Sequence, residues 1–286
     1  MFNALRIFGL VGALLFTSAA AFAQAQPSLR VMSLNMCTDQ LILNLLPPPR
    51  ITSVTFLSHA SPNAALSAQA RQVGINYGTA EEVLAQRPDL VVSGDSSTPT
   101  TRAILDRAGY RLYEVASADT FDEIRETTRK LGRALGEEGR AEALLAQMDA
   151  TLNGLIRTMP AQKITVVAWD GGGFVPGRGL LFNEILSIAG GINIAAVDST
   201  DYLVDFDLEE LLHARPDLIA YASGSLDAPS LTTQVLRHPI VRRLYEGRQI
   251  TYADNLYICG LPQSAEAARN LRAAMLGAVA SGDDLR

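Results

Sequence analysis

Histidine is scarce in this chain of 286 residues, which holds three: His59, His213 and His238. A site for a bare zinc or manganese ion draws on about three imidazoles with a carboxylate. His213 falls inside a predicted helix and His238 sits between Arg237 and Pro239, so no direct metal site is expected. Blocks of like charge are also missing. The 24 basic and 30 acidic residues give a net charge of −6 and are scattered, which argues against nucleic acid and anionic membrane surfaces as partners. Beyond the first residues, no apolar run approaches the roughly 20 residues of a membrane span. Catalytic signatures are lacking as well. Gly171-Gly172-Gly173 and Gly177-Arg178-Gly179 lie between a strand and a helix, but without the G-K-[ST] ending or the G-x-G-x-x-G spacing of phosphate loops. No G-x-S-x-G elbow occurs. Cys37 with His59 is the one pairing that reads as nucleophile and base, and two residues do not make a catalytic constellation. Neither enzyme activity nor a cofactor is expected.

What the chain does have begins at its amino end. Arg6 precedes the apolar run Ile7 to Phe16, and Ala21-Phe22-Ala23 follows as a small-x-small cleavage pattern. This predicts a secretory signal peptide over residues 1–23, cleaved after Ala23, and a soluble protein in the periplasm. No cysteine stands at the cleavage point to receive a lipid. The remainder is long enough for one large domain or two of ordinary size, and 48% hydrophobic content supports a full core.

Two cysteines, Cys37 and Cys259, lie near opposite ends of that remainder. In an oxidising compartment they can pair, and so long a closed loop would stabilise by several kcal/mol in the chain-entropy model. They read equally as two small buried apolar residues or as thiols facing a ligand. Sequence leaves these readings open, because it does not reveal the Cα separation.

One segment is written twice. Residues 81–92 read Glu-Glu-Val-Leu-Ala-Gln-Arg-Pro-Asp-Leu-Val-Val, and residues 209–220 read Glu-Glu-Leu-Leu-His-Ala-Arg-Pro-Asp-Leu-Ile-Ala. Paired glutamates suit the first turn of a helix. Arg87 and Arg215 suit its carboxyl end, Pro88 and Pro216 stop it, and a buried strand follows. Around each copy, short apolar strands alternate with helices, which predicts parallel α/β units in both halves. Strands are expected over 29–35, 51–56, 90–93, 111–115, 163–169, 218–221 and 249–253. Helices are expected over 38–46, 100–108, 120–135 and 180–189.

Between the halves, residues 137–158 carry apolar positions at helical spacing with no internal proline. Such a helix is roughly 33 Å long, enough for one rod to join two lobes. The expected division is 24–135 for the first α/β lobe, 136–160 for the linking helix and 161–286 for the second lobe.

This layout resembles the periplasmic binding proteins for iron–siderophore complexes, haem and cobalamin that serve ABC importers. The resemblance rests on the opening Ser-Leu-Asn-Met-Cys-Thr-Asp-Gln, the E-E-x-L-x-x-R-P-D-L segment in each half and the long helix between them. It implies two α/β lobes on one backbone helix, ligand in the cleft between them, and a monomer that docks on a permease and ATPase complex. It also implies one docking glutamate per lobe. Distance from the following proline maps these onto Glu81 and Glu209, with Glu82 and Glu210 adjacent.

Ligands of open α/β sheets collect beyond the carboxyl ends of the strands. In the first half that places Cys37, Phe56, His59 and Tyr77 in the cleft. In the second it places Trp169, Asp170, Gly172 and Phe174, with Tyr202, Tyr257 and Cys259 behind them. Trp169 running into three glycines reads either as a core ring before a tight turn or as backbone that approaches a flat ligand while aromatics stack on it. An anionic ferric chelate would call for several arginines, and Arg178 is the nearest. Cobalamin or a related corrinoid is therefore the first expectation, with a ferric siderophore or haem as alternatives; haem would need an axial donor such as His59 or a tyrosine. A two-lobed sensor without an importer is the further alternative.

Overall fold

The computed structural model describes residues 29–60, 64–95, 97–223 and 231–283. The expected signal peptide lies outside these residues. Eleven strands are present among them: β1 (Val31–Ser33), β2 (Ile51–Thr55), β3 (Gly74–Asn76), β4 (Leu90–Gly94), β5 (Leu112–Val115), β6 (Ile164–Ala168), β7 (Phe174–Pro176), β8 (Gly191–Asn193), β9 (Leu203–Asp205), β10 (Leu218–Ala222) and β11 (Gln249–Tyr252). They form a sheet of order β3-β2-β1-β4-β5, a second of order β11-β10-β6-β8, and a ribbon of β7 with β9. Both larger sheets are wholly parallel, as continuous apolar strands flanked by helices require. The ribbon is antiparallel. The seven expected strands and four flanking helices are all present within a few residues. The edge strands β3 and β8, the ribbon and the closing helix Ser264–Asp283 were not expected.

The duplicated segment folds the same way twice. Helix Ala80–Gln86 ends at Arg87 (φ 50°) and helix Leu208–Ala214 at Arg215 (φ 47°), both in the left-handed conformation that usually selects glycine. Each following proline blocks continuation of the helix. Each repeated aspartate then accepts a backbone N–H from the amino end of its own sheet. Asp89 Oδ2 receives Arg30 N–H at 2.8 Å, and Asp217 Oδ2 receives Thr165 N–H at 2.8 Å.

The connection between the lobes is richer than one rod. Helix Glu138–Arg157 is present, close to its expected span, but helix Phe121–Leu135 runs antiparallel beside it and also spans both lobes. Phe121 and Ile124 belong to the second core, and Leu131 and Leu135 to the first. In the long helix Ala141 belongs to the first core, and Leu145, Met148 and Leu152 to the second. Helix Phe121–Leu135 thus contributes to both cores, and the second core draws on the chain from Ala118. A later segment also returns. Cys259 and Leu261 are buried in the first core before Ala265 and Leu271 rejoin the second.

One buried cation stitches the second lobe together. Arg272 donates from Nε to Ala189 O at 2.9 Å, from Nη1 to Leu155 O at 2.8 Å and from Nη2 to Ile188 O at 2.6 Å. These carbonyls close helices Leu181–Ala189 and Glu138–Arg157, where unpaired acceptors and the negative end of the dipole both favour a guanidinium.

Candidate functional site

The carboxyl edges of β1, β4 and β5 open onto a cavity of about 270 Å³. Asn35, Cys37 and Thr38 line it from the first edge, and Gly94 and Asp95 from the second. Val115 to Asp119 line it from the third. The opposite wall is Leu180 with Ile258, Cys259 and Gly260. Asn35 is fixed here because its side chain caps helix Met36–Leu45, accepting Cys37 N–H at 2.9 Å.

Cys37 and Cys259 form a disulfide across this cavity, with Cα atoms 5.2 Å apart. Of the readings open at the sequence level, the bridge is the one realised, and both half-cystines also line the cavity. The pairing removes the thiolate that a Cys37 nucleophile would need.

In the same helix as Cys37 and Thr38, Asp39 is fully buried. Its Oδ2 accepts Thr55 N–H at 3.0 Å, the Thr55 hydroxyl at 2.5 Å and the Ser58 hydroxyl at 2.7 Å. Oδ1 has no partner. Burial pushes this carboxyl up to about 6, against the smaller opposing effect of the hydrogen bonds it accepts from Thr55 and Ser58.

Aromatic side chains stand exposed on both lobes. On the first sheet Phe56 and Tyr77, which follow β2 and β3, stack with ring centroids 5.1 Å apart and an interplanar angle of 22°. Tyr77 is 68% exposed. On the second lobe the ribbon of β7 and β9 carries Phe174, with Tyr202 just before β9; these are 59% and 62% exposed. The ribbon is launched by a turn in which Gly172 N–H donates to Asp170 Oδ1 at 2.8 Å. Gly171 and Gly173 adopt φ of 84° and 86°, so the glycine run is used for its backbone freedom.

Of the expected ligand residues, Cys37 and Cys259 line the cavity and the others do not; two of those others are buried in the core. Trp169 is 1% exposed, and its Nε1 donates to Phe206 O at 2.8 Å. It anchors the core beneath the ribbon, because a strand end inside a covered sheet points alternate side chains inward. Tyr257 is buried against Phe182 and Tyr252, and burial pushes its phenol up. His59 is partly buried, with Nε2 enclosed and without a partner. The segment Val115 to Asp119 and Leu180 line the cavity although no motif marks them. The rule that sites follow strand ends, applied after β5, locates the first of these.

The chemistry of the cavity is polar and acidic. Asp95 and Asp119 are its charged lining groups. Burial raises Asp119, more strongly than the hydrogen bond from Leu181 N–H lowers it. Arg178 is committed elsewhere, donating from Nη2 to Ala196 O at 2.7 Å and Val197 O at 3.1 Å. Among the described residues, no group of three or more His, Cys, Asp or Glu is placed to hold a metal, and no helix is long and apolar enough to cross a membrane.

The duplicated glutamates separate into two roles. Thr79 and Glu82 form a reciprocal capping box, with Glu82 Oε2 also accepting Tyr77 N–H at 2.9 Å. In the second copy Asp207 supplies the cap, accepting Glu210 N–H at 2.9 Å. Glu81 and Glu209 occupy the same first-turn position of their helices and are exposed.

Known proteins share this architecture. A cobalamin-binding protein of Halobacterium salinarum is 27% identical over 210 residues, 70% of this chain and 56% of the relative. The chain thus matches little more than half the length of that relative. The periplasmic heme-binding protein RhuT from Roseiflexus sp. RS-1 superposes with a TM-score of 0.72 at 24% identity, covering 88% of this chain and 99% of the other. The periplasmic vitamin B12 binding protein BtuF of Vibrio cholerae gives 0.64 at 17% identity, covering 88% and 98%. The model of the periplasmic binding protein family matches residues 44–246, most of the chain, and this chain belongs to that family.

Proposed function

We propose that this protein captures a metal chelate of corrinoid type in the interlobe cleft and delivers it to the permease and ATPase of an ABC importer. It acts as a monomer outside the cytoplasmic membrane and catalyses no reaction. The carrying observation is the exposed stack of Phe56 with Tyr77 on one lobe, with the separately exposed rings of Phe174 and Tyr202 on the other. A cavity of about 270 Å³ is smaller than the several hundred Å³ of an ordinary ligand site. A macrocycle would rest across the rim on these rings, with only its edge groups entering the polar floor. The cavity lining carries carboxylates and no basic side chain, which disfavours a polyanionic cargo.

Haem is the second reading, favoured by the exposed phenols of Tyr77 and Tyr202, which are available as axial donors. The enclosed Nε2 of His59 is not. Purification from the periplasm, followed by absorbance and native mass spectrometry, tests both. A corrinoid spectrum with matching mass supports the first reading, and a Soret band supports the second. A colourless protein that binds neither cyanocobalamin nor hemin in titration would sink both.

Glu81 and Glu209 are the docking contacts in this reading. Each glutamate stands exposed in the first turn of a helix, one on each lobe, so one permease face can meet both lobes.

A further inference from the structure

Three stretches of chain meet at the cavity: residues 35–38 entering the first helix, 115–119 leaving the first lobe, and 258–260 arriving from the second. The last two touch closely. A Cβ on Gly260 would lie 2.2 Å from Ala118 O and 2.8 Å from Ala118 Cβ, so only glycine lets the segments run side by side. Beyond the bridge, Asn44 Nδ2 donates to Gln263 Oε1 at 3.2 Å and Gln263 Nε2 donates back to Asn44 Oδ1 at 2.6 Å. The chain then enters helix Ser264–Asp283, which belongs to the second core through Ala265, Leu271 and Met275. Residues 258–263 are thus a strap that starts in one lobe, is fastened to the other and returns.

Apart from the bridge, the strap is fastened to the first lobe by the burial of Leu261 in its core and by the Asn44–Gln263 amide pair; its close approach at Gly260 is to Ala118, which belongs to the second core. Ile258, at its start, is 44% exposed. The disulfide is the one covalent fastening, and it sits where the strap forms the cavity wall. It joins Cys37, in the first turn of a helix anchored by the cap at Asn35, to a wall that otherwise moves with the second lobe.

We propose that the Cys37–Cys259 bridge is a tether that limits how far the cleft opens and holds residues 258–260 in place as a wall of the ligand site. The part that concerns ligand rests on the cleft being the binding site. With the bridge intact the lobes move little about the two spanning helices. With it cut, the wall leaves with the second lobe, the cleft widens and bound ligand dissociates faster.

Two routes cut the bridge. A water-soluble phosphine reduces the disulfide to two thiols and is itself converted to the phosphine oxide with oxygen from water; the variant C37S/C259S lacks the bridge without any reductant. Far-UV circular dichroism establishes that each form remains folded. Amide hydrogen exchange and small-angle scattering then report the strap and the lobes with no ligand present. The expected result is exchange at residues 258–263 faster by about tenfold or more, and a larger radius of gyration, in both cut forms. Unchanged exchange and scattering overturn the tether. Loss of helical signal on cutting overturns it as well, because the bridge would then hold the fold and not the cleft. Cyanocobalamin and hemin, added to the oxidised protein and to C37S/C259S, serve as ligand probes. Faster dissociation from the variant supports the wall role, and equal rates overturn it. If neither probe binds the oxidised protein, the proposed function fails, while exchange and scattering still decide the tether.

Discussion

Asp89 and Arg30 are 59 positions apart, and Asp89 Oδ2 accepts the Arg30 backbone N–H at 2.8 Å. Asp217 repeats the contact on the other lobe with Thr165, taking its N–H at 2.8 Å and its hydroxyl at 2.7 Å. Each clasp ties the loop after a helix to the amino end of a sheet, on the side away from the cleft. Asp89→Ala and Asp217→Ala should each lower stability by about 1 kcal/mol, read as a shift in urea midpoint. Ligand affinity should stay unchanged, and a large loss of affinity would contradict this placement.

Replacing Arg272 should be costlier. The residue is 7% exposed, and its guanidinium supplies donors to the carbonyl ends of two helices. Arg272→Met keeps the apolar stem and strands those carbonyls, so a loss of about 3 kcal/mol is expected. Arg272→Lys should recover only part of it, because an ammonium does not reproduce the planar fork. Urea unfolding of the two variants measures both.

Asp39 predicts a pH dependence. In the unfolded chain this carboxyl titrates near 3.8, and in the folded protein it is pushed up to about 6 by burial. Between those values the folded state holds the proton more tightly. Its contribution is therefore present below the unfolded value and is lost as pH rises through about 6. The difference is on the order of 3 kcal/mol. Asp39→Asn keeps the acceptor toward Thr55 and Ser58 and removes the titration. The gap in stability between variant and wild type should shift in favour of the variant from pH 4 to pH 7. A gap independent of pH would show that Asp39 does not titrate there.

The exposed aromatics should matter for binding and not for folding. Tyr77→Ala and Phe174→Ala are each expected to weaken chelate binding about three- to tenfold. Melting temperature should barely move, since both rings are mostly exposed. Trp169→Ala should do the reverse, unfolding the second lobe's core first, with a cost of about 3–5 kcal/mol.

Docking can be separated from capping. Charge reversal at Glu81 with Glu209 should abolish importer-dependent uptake while affinity and melting temperature stay near wild type. Glu82→Ala should preserve uptake and cost about 1 kcal/mol through the opened capping box. Normal uptake in the double reversal would remove these two residues from the docking role.

Much was written locally. Helix–strand alternation, the doubled E-E-x-L-x-x-R-P-D-L unit and the long helix before Pro160 follow from periodicity, helix-stop residues and propensity, which act within a few residues of each position. The exposure of the rings of Phe56, Tyr77, Phe174 and Tyr202 belongs to the fold, since β3 and the ribbon beside three of them left no clear mark in the sequence. What needed the tertiary structure is everything that depends on which faces meet. Trp169 and Phe174 are five residues apart and both follow β6, yet one is sealed under the ribbon and the other stands on it. Tyr257 reads like a cleft tyrosine until Phe182 and Tyr252 close around it. The bridge of Cys37 to Cys259 across 222 positions and the strap that carries it are decided by lobe packing, which no short-range pattern encodes. Sequence alone determined that the protein has two α/β halves of the same design. Only the assembled fold determined how they are fastened, because burial and covalent reach are properties of distance in space and not of spacing along the chain.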